Sequence, residues 1–321
     1  NIIRKLQKVN SMNISVLIPA YNESDNIKHT IESVLAISRK IGKIDETQII
    51  VIDDHSSDNT YEIAKKMNVS CLRLSRRSGF HVAVRAGMMN VKGELALYIS
   101  ADGQEDISCL PEMLKKWRKG VQIIWAMRKD RDNESWYIRI PATLFYRILH
   151  HLLEDKNSHV NIEKSDFALL DRKVVDAINS CTERSTSFHG LLSWLGFRQD
   201  FVEYDRQERL SGKSKWSLRS RLRLAKDWII AFSGLPLKLM TVVGFIVAFL
   251  GFLYALYLIV NFFLNIPPEG WSSLMVVILI LGGMQMVMFG IVGEYLWRNL
   301  DEVRKRPLYF IEKSTDEDDG G

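Results

Sequence analysis

Two long stretches without a single charged residue dominate the C-terminal part of this chain, Leu239 to Leu264 and Gly270 to Gly293. Each exceeds the ~20 residues that a helix needs to cross a bilayer. Between them lies Asn265 to Glu269, where Pro267 and Pro268 break a helix. Glu269, at that turn, is the one charge between Leu239 and Gly293. The expectation is a helical hairpin in a membrane. Ahead of it, apolar and charged segments alternate as in a globular domain. A length of 321 residues accommodates one such domain of roughly 230 residues plus the hairpin.

The net charge of +5 is modest, but its placement is informative. Lys213, Lys215, Arg219, Arg221, Arg223 and Lys226 precede the first apolar stretch, and Arg298, Arg304, Lys305 and Arg306 follow the second. The turn between them has no Lys or Arg. By the positive-inside rule both ends of the hairpin lie in the cytoplasm. The basic residues can also attract anionic headgroups, at about 1 kcal/mol each near the surface. Ser217 to Phe232 places Leu218, Leu222, Leu224, Ala225 and Trp228 among basic residues, the pattern of an interfacial amphipathic helix. No aromatic-interleaved basic patch points to nucleic acid. Cys71, Cys109 and Cys181 are too few and too scattered for a disulfide framework or a zinc site. His150 and His151 are adjacent rather than four apart, so on a helix they diverge and make a poor metal pair. The first twelve residues are basic without an apolar core, unlike a signal peptide.

The front half reads as alternating strands and helices. Strands are expected at Ile14–Ile18, Ile49–Ile52, Cys71–Leu74, Leu95–Ile99 and Val121–Met127. Helices are expected at Asn26–Ile37, Asp58–Lys66, Val82–Val91 and Leu110–Arg118. This alternation implies a mainly parallel sheet with helices on both faces. Ligands of such sheets sit beyond the carboxyl ends of the strands. The polar clusters Tyr21–Glu23, Asp53–Asp58 and Asp102–Asp106 fall there. Neither Gly-x-Gly-x-x-Gly nor the Gly-Lys-Ser/Thr phosphate loop is present, which argues against a dinucleotide oxidoreductase and an ordinary ATPase. Carboxylates at strand ends offer another way to hold a nucleotide, by accepting from ribose or base or by holding a divalent cation.

Four stretches in this order carry a resemblance. They are Val16-Leu17-Ile18-Pro19-Ala20-Tyr21-Asn22-Glu23, Val51-Ile52-Asp53-Asp54-His55-Ser56-Ser57-Asp58-Asn59-Thr60, Ala101-Asp102-Gly103-Gln104-Glu105-Asp106 and Arg209-Leu210-Ser211-Gly212-Lys213-Ser214-Lys215. From about Ile14 to about Arg306 the chain resembles family 2 glycosyltransferases of the GT-A fold. More narrowly, it resembles the polyprenyl-phosphate group that includes dolichol-phosphate mannose synthase and bacterial undecaprenyl-phosphate glucosyltransferases. The resemblance implies that Pro19, Tyr21, Glu23, Asp53, Asp54, Arg76 and Gly79 bind the nucleotide. It places Asp102 and Gln104 at an Mg²⁺ or Mn²⁺ ion. Asp102, Arg128 and Asp166 become the catalytic set, with Arg128 facing a phosphate and Asp166 near the acceptor phosphate as base or orienter, orientation being favoured because that phosphate is already largely ionised near pH 7. Arg139, Arg209, Ser214 and Lys215 would hold the acceptor phosphate.

Two departures stand out. Ser100 occupies the first position of the usual Asp-x-Asp, so a neutral hydroxyl replaces a carboxylate. In Ser165-Asp166-Phe167-Ala168-Leu169-Leu170-Asp171-Arg172, Ala168 replaces an arginine and Ser165 a glycine. The expected organisation is an extension over 1–12, a cytoplasmic glycosyltransferase domain over 13–216, a juxtamembrane helix over 217–234, a hairpin over 235–297 and a cytoplasmic tail over 298–321. The expected activity is inverting transfer of one sugar, UDP-glucose first, to polyprenyl phosphate, undecaprenyl phosphate first, at the cytoplasmic membrane face. Alternatives are a glycosyltransferase with another lipid or protein acceptor, and a catalytically weak nucleotide-binding subunit. Gly282, Gly283, Gly290 and Gly293 let helices approach closely, within one chain or in a homo-oligomer.

Overall fold

A computed structural model describes residues 12–41, 44–129, 165–184, 187–205, 235–264 and 270–315. The chain divides into two compact units, Asn1–Ser220 with Pro307–Gly321, and Arg221–Arg306. Arg139, His150, His151, Arg209, Ser214, Lys215, the 217–234 segment and the turn at 265–269 lie outside the described residues.

The first unit is built on β1 (Met12–Ala20), α1 (Ile27–Ile41), β2 (Ile44–Asp53), α2 (Thr60–Lys65), β3 (Ser70–Leu74), α3 (Phe80–Met88) and β4 (Leu95–Tyr98). It continues through a short 3₁₀ turn (Ile107–Cys109), α4 (Leu110–Arg118), β5 (Ile123–Arg128), β6 (Ser165–Asp171), α5 (Arg172–Ser180), α6 (Phe188–Trp194) and β7 (Gln199–Tyr204). The second unit holds α7 (Leu235–Phe263) and α8 (Trp271–Val303), after which β8 (Ile311–Ser314) returns to the first unit.

Among the described residues the eight strands form one sheet in the order β7-β5-β6-β4-β1-β2-β3-β8. The β1–β2, β1–β4, β2–β3 and β5–β7 pairs are parallel, and β6 and β8 run antiparallel to their neighbours. In β1 every residue from Ile14 to Ala20 is buried, on both faces of the pleat. A strand buried that way needs cover on both sides, as parallel sheets with flanking helices provide. Helix α1 presents Ile27, Thr30, Ile31 and Val34 to the core at three- and four-residue spacing. Each fully buried aliphatic side chain of this core contributes about 1.5–3 kcal/mol.

The strand order sets the place of the site. From β1 the chain steps through β2 and β3 on one side, then returns to place β4 on the other. The gap between β1 and β4 is therefore a topological switch point, where the loops leaving the two strands diverge and open a crevice.

The departure at Ala168 has a packing reason. Register places Ala168 between Tyr98 of β4 and Trp125 of β5, so the three side chains share one face. His189 stacks on Trp125 at 5.7 Å between ring centroids and meets Tyr98 edge-on at 5.7 Å. Two large rings flank a methyl group, and an imidazole covers them. Ala168→Arg is expected to destabilise the fold by about 1–3 kcal/mol through overpacking. A lowered urea midpoint with an unchanged slope checks this.

Helices α7 and α8 are long and apolar enough to cross a membrane. Their large side chains, such as Phe245, Phe249, Phe252, Leu279 and Phe289, stand exposed. Contiguous apolar surface of this extent needs a non-aqueous neighbour.

Candidate active site

The loops after β1 and β2 are tied to one another. Asn22 and His55, at φ +54° and +59°, both adopt the left-handed conformation and turn the chain sharply after each strand. The Asn22 amide donates to Ser56 Oγ at 3.0 Å, and Asn22 Oδ1 accepts from the Ser57 amide at 2.8 Å. The Glu23 amide donates to Thr60 Oγ1 at 2.9 Å, and the Ser24 amide to Asp58 Oδ2 at 3.1 Å. Asp58 also accepts from the Thr60 amide at 3.0 Å, so its role here is to join two loops. Glu23 starts α1 by accepting the Asn26 and Ile27 amides on its carbonyl, at 3.0 and 2.9 Å.

Pro19 is buried in β1 beside Ile52 of β2. Tyr21 follows at the strand's exit, and the Arg77 guanidinium lies over its ring, 4.0 Å from the centroid. This pair forms a cationic, aromatic wall beside the switch point, suited to a flat base. Asp53 ends β2 fully buried. Its Oδ1 accepts from the Ser56 amide at 3.1 Å and its Oδ2 from Arg73 Nη1 at 3.0 Å. Asp54 accepts from the Ser78 and Gly79 amides at 2.6 and 2.8 Å. Burial raises both carboxyls, against the lowering effect of those donors. Asp54 thereby fixes the loop that presents Arg76, which is exposed, and Arg77. Gly79 has φ +91° with open space where a Cβ would stand. Its lack of a side chain serves the backbone turn into α3.

The turn after β4 carries the acidic side of the site. Ser100 Oγ donates to Asp102 Oδ1 at 2.6 Å, which also accepts from the Gln104 amide at 3.2 Å. The Ser100 amide donates to Glu105. Desolvation, reinforced by Asp102 and Asp166, pushes the Glu105 carboxyl up to about 8. Register carries β6 antiparallel to β4, so the start of β6, with Asp166, lies beside the end of β4.

Asp166 is the meeting point of three strands. Arg128 Nε, at the end of β5, is 2.9 Å from its Oδ2. Tyr204 Oη, at the end of β7 and in register with Arg128, donates to the same oxygen at 2.5 Å. Behind them His81 and His189 are held neutral, burial lowering them to about 4 and about 3. Tyr98 Oη and His189 Nε2 are buried with no hydrogen-bond partner among the described residues.

One end of the sheet thus assembles an aromatic and cationic wall, a Ser-Asp turn and a carboxylate clamped by an arginine and a phenol. Residues 15–178 match the family model described as glycosyl transferase family 2, and residues 235–298 match that of the GtrB C-terminal hairpin. This chain belongs to the family 2 glycosyltransferases. It is similar to the SfII prophage-derived bactoprenol glucosyl transferase of Shigella flexneri, 35% identical over 309 residues that cover 94% of this chain and 98% of that one. A prophage bactoprenol glucosyl transferase homolog of Escherichia coli is 34% identical over 308 residues, covering 94% and 99%. Among solved structures, glucosyl-3-phosphoglycerate synthase from Mycobacterium tuberculosis, in complex with Mn²⁺, UDP-glucose and phosphoglyceric acid, matches with a TM-score of 0.51. It is 18% identical and covers 69% of this chain and 78% of that one, a likeness of fold. The glycosyltransferase is membrane-associated, with its hairpin in the second unit.

In this family 2 glycosyltransferase, Pro19, Tyr21, Glu23, Asp53, Asp54, Arg76 and Gly79 gather around the β1, β2 and β3 exits. Asp102, Gln104, Arg128 and Asp166 gather around the β4, β5 and β6 ends. Sequence reasoning gave no role to Arg73, Arg77, Glu105, His189 or Tyr204. Arg73 had a signal, a cation alternating with buried Leu72 and Leu74 in a strand. Tyr204 had none, because only its register beside Arg128 places it at Asp166.

The Ser100–Asp102 contact yields a test. Ser100→Asp would set a second carboxylate against Asp102, with Glu105 below, and remove the hydroxyl donor. The variant is expected to melt several degrees lower than wild type in chelator and to gain more stability from added Mg²⁺ or Mn²⁺. Thermal melts with and without metal check this.

Proposed function

We propose that this glycosyltransferase moves a single sugar from a nucleoside diphosphate sugar, UDP-glucose first, to a polyprenyl phosphate, undecaprenyl phosphate first. The observation that carries the reading is the Arg128–Asp166–Tyr204 cluster beside the Ser100–Asp102 turn, in a chain that continues into an apolar hairpin. Bactoprenol in the names of close relatives favours a polyprenyl acceptor.

Tyr21 and Arg77 hold the base, and Asp53 with its loop shapes the nucleoside side. An ionised oxygen of the lipid phosphate attacks the anomeric carbon. The bond from that carbon to the diphosphate oxygen breaks on the opposite face, and the nucleoside diphosphate leaves with the electron pair. The new bond has inverted configuration. A phosphate monoester is largely ionised near pH 7, since its second pKa is about 6, so a strong base is not needed. Asp166 therefore orients rather than deprotonates. Its charge is balanced by Arg128, and its position is held by Tyr204.

The donors at the β4 turn fit a hard divalent ion. Asp102 supplies a carboxylate, and Ser100 and Gln104 supply neutral oxygens, while the described residues include no group of three or more His, Cys, Asp or Glu placed for a metal. Mg²⁺ or Mn²⁺ held by one carboxylate, water and diphosphate matches that set. Such an ion supplies charge neutralisation to the leaving diphosphate.

Both connections of the hairpin join the same compact unit, at Ser220 and at Pro307. The basic residues flanking the hairpin favour the cytoplasmic side. Arg139, Arg209, Ser214 and Lys215 bind the acceptor phosphate in this reading.

The test uses purified full-length protein, undecaprenyl phosphate, Mg²⁺ or Mn²⁺ and a panel of radiolabelled UDP- and GDP-sugars. Label entering the lipid phase from UDP-glucose is the expected result. Label from another donor only would reassign the sugar. Transfer that proceeds without lipid phosphate would reject the acceptor.

A further inference from the structure

The strand that follows the hairpin reaches the donor side of the site. Strand β8 pairs antiparallel with β3, Leu72 opposite Ser314, Arg73 opposite Lys313 and Leu74 opposite Ile311. The pairing is anchored at both ends. The Cys71 amide donates to Thr315 Oγ1 at 2.9 Å, and the Ser75 amide to the Phe310 carbonyl at 2.9 Å. Glu312 Oε2 accepts from Arg73 Nε at 3.2 Å and lies 3.6 Å from His55 Nδ1. Arg73 in turn donates through Nη1 to Asp53 and through Nη2 to the Ser56 carbonyl, at 3.0 Å each. His55 Nδ1 also sits 3.2 Å from the Leu74 carbonyl.

We infer that Glu312 is a positioning residue for donor binding, acting through Arg73 on Asp53 and on the 53–58 loop. The inference rests on the reading of Asp53 as part of the nucleotide site. A guanidinium is a planar fork, so fixing Nε aims both Nη groups. Glu312 binds Nε from outside, which turns Nη1 and Nη2 inward to the buried carboxylate and the loop carbonyl. Without that anchor Arg73, 19% exposed, can turn to solvent. Asp53 would then be buried without its cation, a state that favours the protonated carboxyl and a looser loop. Glu312 belongs to the segment immediately after the second apolar helix, only residues 304–310 separating α8 from β8. Glu312, Arg73 and Asp53 thus link β8 to the end of β2 within one unit.

The experiment measures donor KM, acceptor KM and kcat of the full-length enzyme in nanodiscs, together with UDP affinity by calorimetry. Glu312→Gln is expected to raise donor KM and UDP Kd about fivefold, the scale of one partly exposed ion pair. Its kcat and acceptor KM stay at wild-type values. Glu312→Asp recovers part of the affinity, and Glu312→Lys, which sets a cation against Arg73, loses more than Glu312→Gln. Wild-type UDP affinity in both Glu312→Gln and Glu312→Lys would overturn the inference. So would parallel losses in kcat, acceptor KM and melting temperature, the mark of a merely structural strand. Asp53→Asn, run alongside, separates the two levels. If it loses UDP while the Glu312 variants keep it, only the positioning role falls. If it too binds UDP normally, the nucleotide-site reading falls.

Discussion

Asp166→Asn is expected to lower kcat by about 10²–10³-fold while UDP affinity stays within twofold of wild type. The substitution keeps the side chain's shape and removes its charge. In the wild-type enzyme that charge faces Arg128 Nε at 2.9 Å and the Tyr204 hydroxyl at 2.5 Å. An amide leaves Arg128 without its counterion at a largely buried position. The guanidinium is then free to bind an incoming phosphate in an unproductive place. The reacting oxygen misses the line opposite the leaving group, and misplacement of about 1 Å costs ~10²-fold. The cluster lies on β5, β6 and β7, away from the β2 and β3 exits proposed for the nucleotide, so nucleotide affinity is expected to be preserved. Steady-state kinetics and UDP calorimetry check both halves. Tyr204→Phe removes one hydrogen bond and keeps the ion pair, so it should show a smaller loss in the same direction.

Asp102→Ala is expected to reduce kcat/KM by about 10³-fold and to make the residual rate insensitive to chelator. With Ser100 already neutral, Asp102 is the one carboxylate of the Ser100–Asp102–Gln104 turn. Its loss leaves hydroxyl and amide oxygens, which hold a hard divalent ion weakly. The same change removes the acceptor for the Ser100 hydroxyl and the Gln104 amide, at 2.6 and 3.2 Å. A turn without that acceptor is loose as well as uncharged. Asp102→Asn keeps most of the turn and should lose rate with less loss of structure. The comparison separates charge from conformation.

The front half of the sheet was legible because its strands are buried. Runs such as Ile14 to Ile18 and Ile49 to Ile52 have no polar face to hide them. Helix α4 matches the expected bounds, Leu110–Arg118, with a proline in its first turn. Other boundaries moved by up to five residues, as at β2, which starts at Ile44 rather than Ile49. The antiparallel β6 was not legible as a strand. Its pattern is set by the neighbours it slots between, Tyr98 and Trp125, which no local period announces. Strand β8 was read as tail. Its Ile-Glu-Lys-Ser sequence has no apolar stripe and is stabilised by β3's free edge.

The site divided the same way. Loop carboxylates at strand ends stood out by type and spacing. Their partners did not, because Arg73, Tyr204 and Glu312 reach them through strand register rather than proximity in sequence. Ser100 and Ala168 read as departures in the sequence. In the fold, Ser100 is a donor to Asp102, and Ala168 is the small member of an aromatic row.

The structure of the product tests the proposed transfer to polyprenyl phosphate. Full-length enzyme, UDP-glucose, undecaprenyl phosphate and Mg²⁺ are incubated, and the lipid fraction is analysed by mass spectrometry and proton NMR. One hexose on the lipid phosphate is expected, with the anomeric configuration opposite to that of the donor. A retained configuration, more than one hexose, or UDP release without a glycosylated lipid would contradict it.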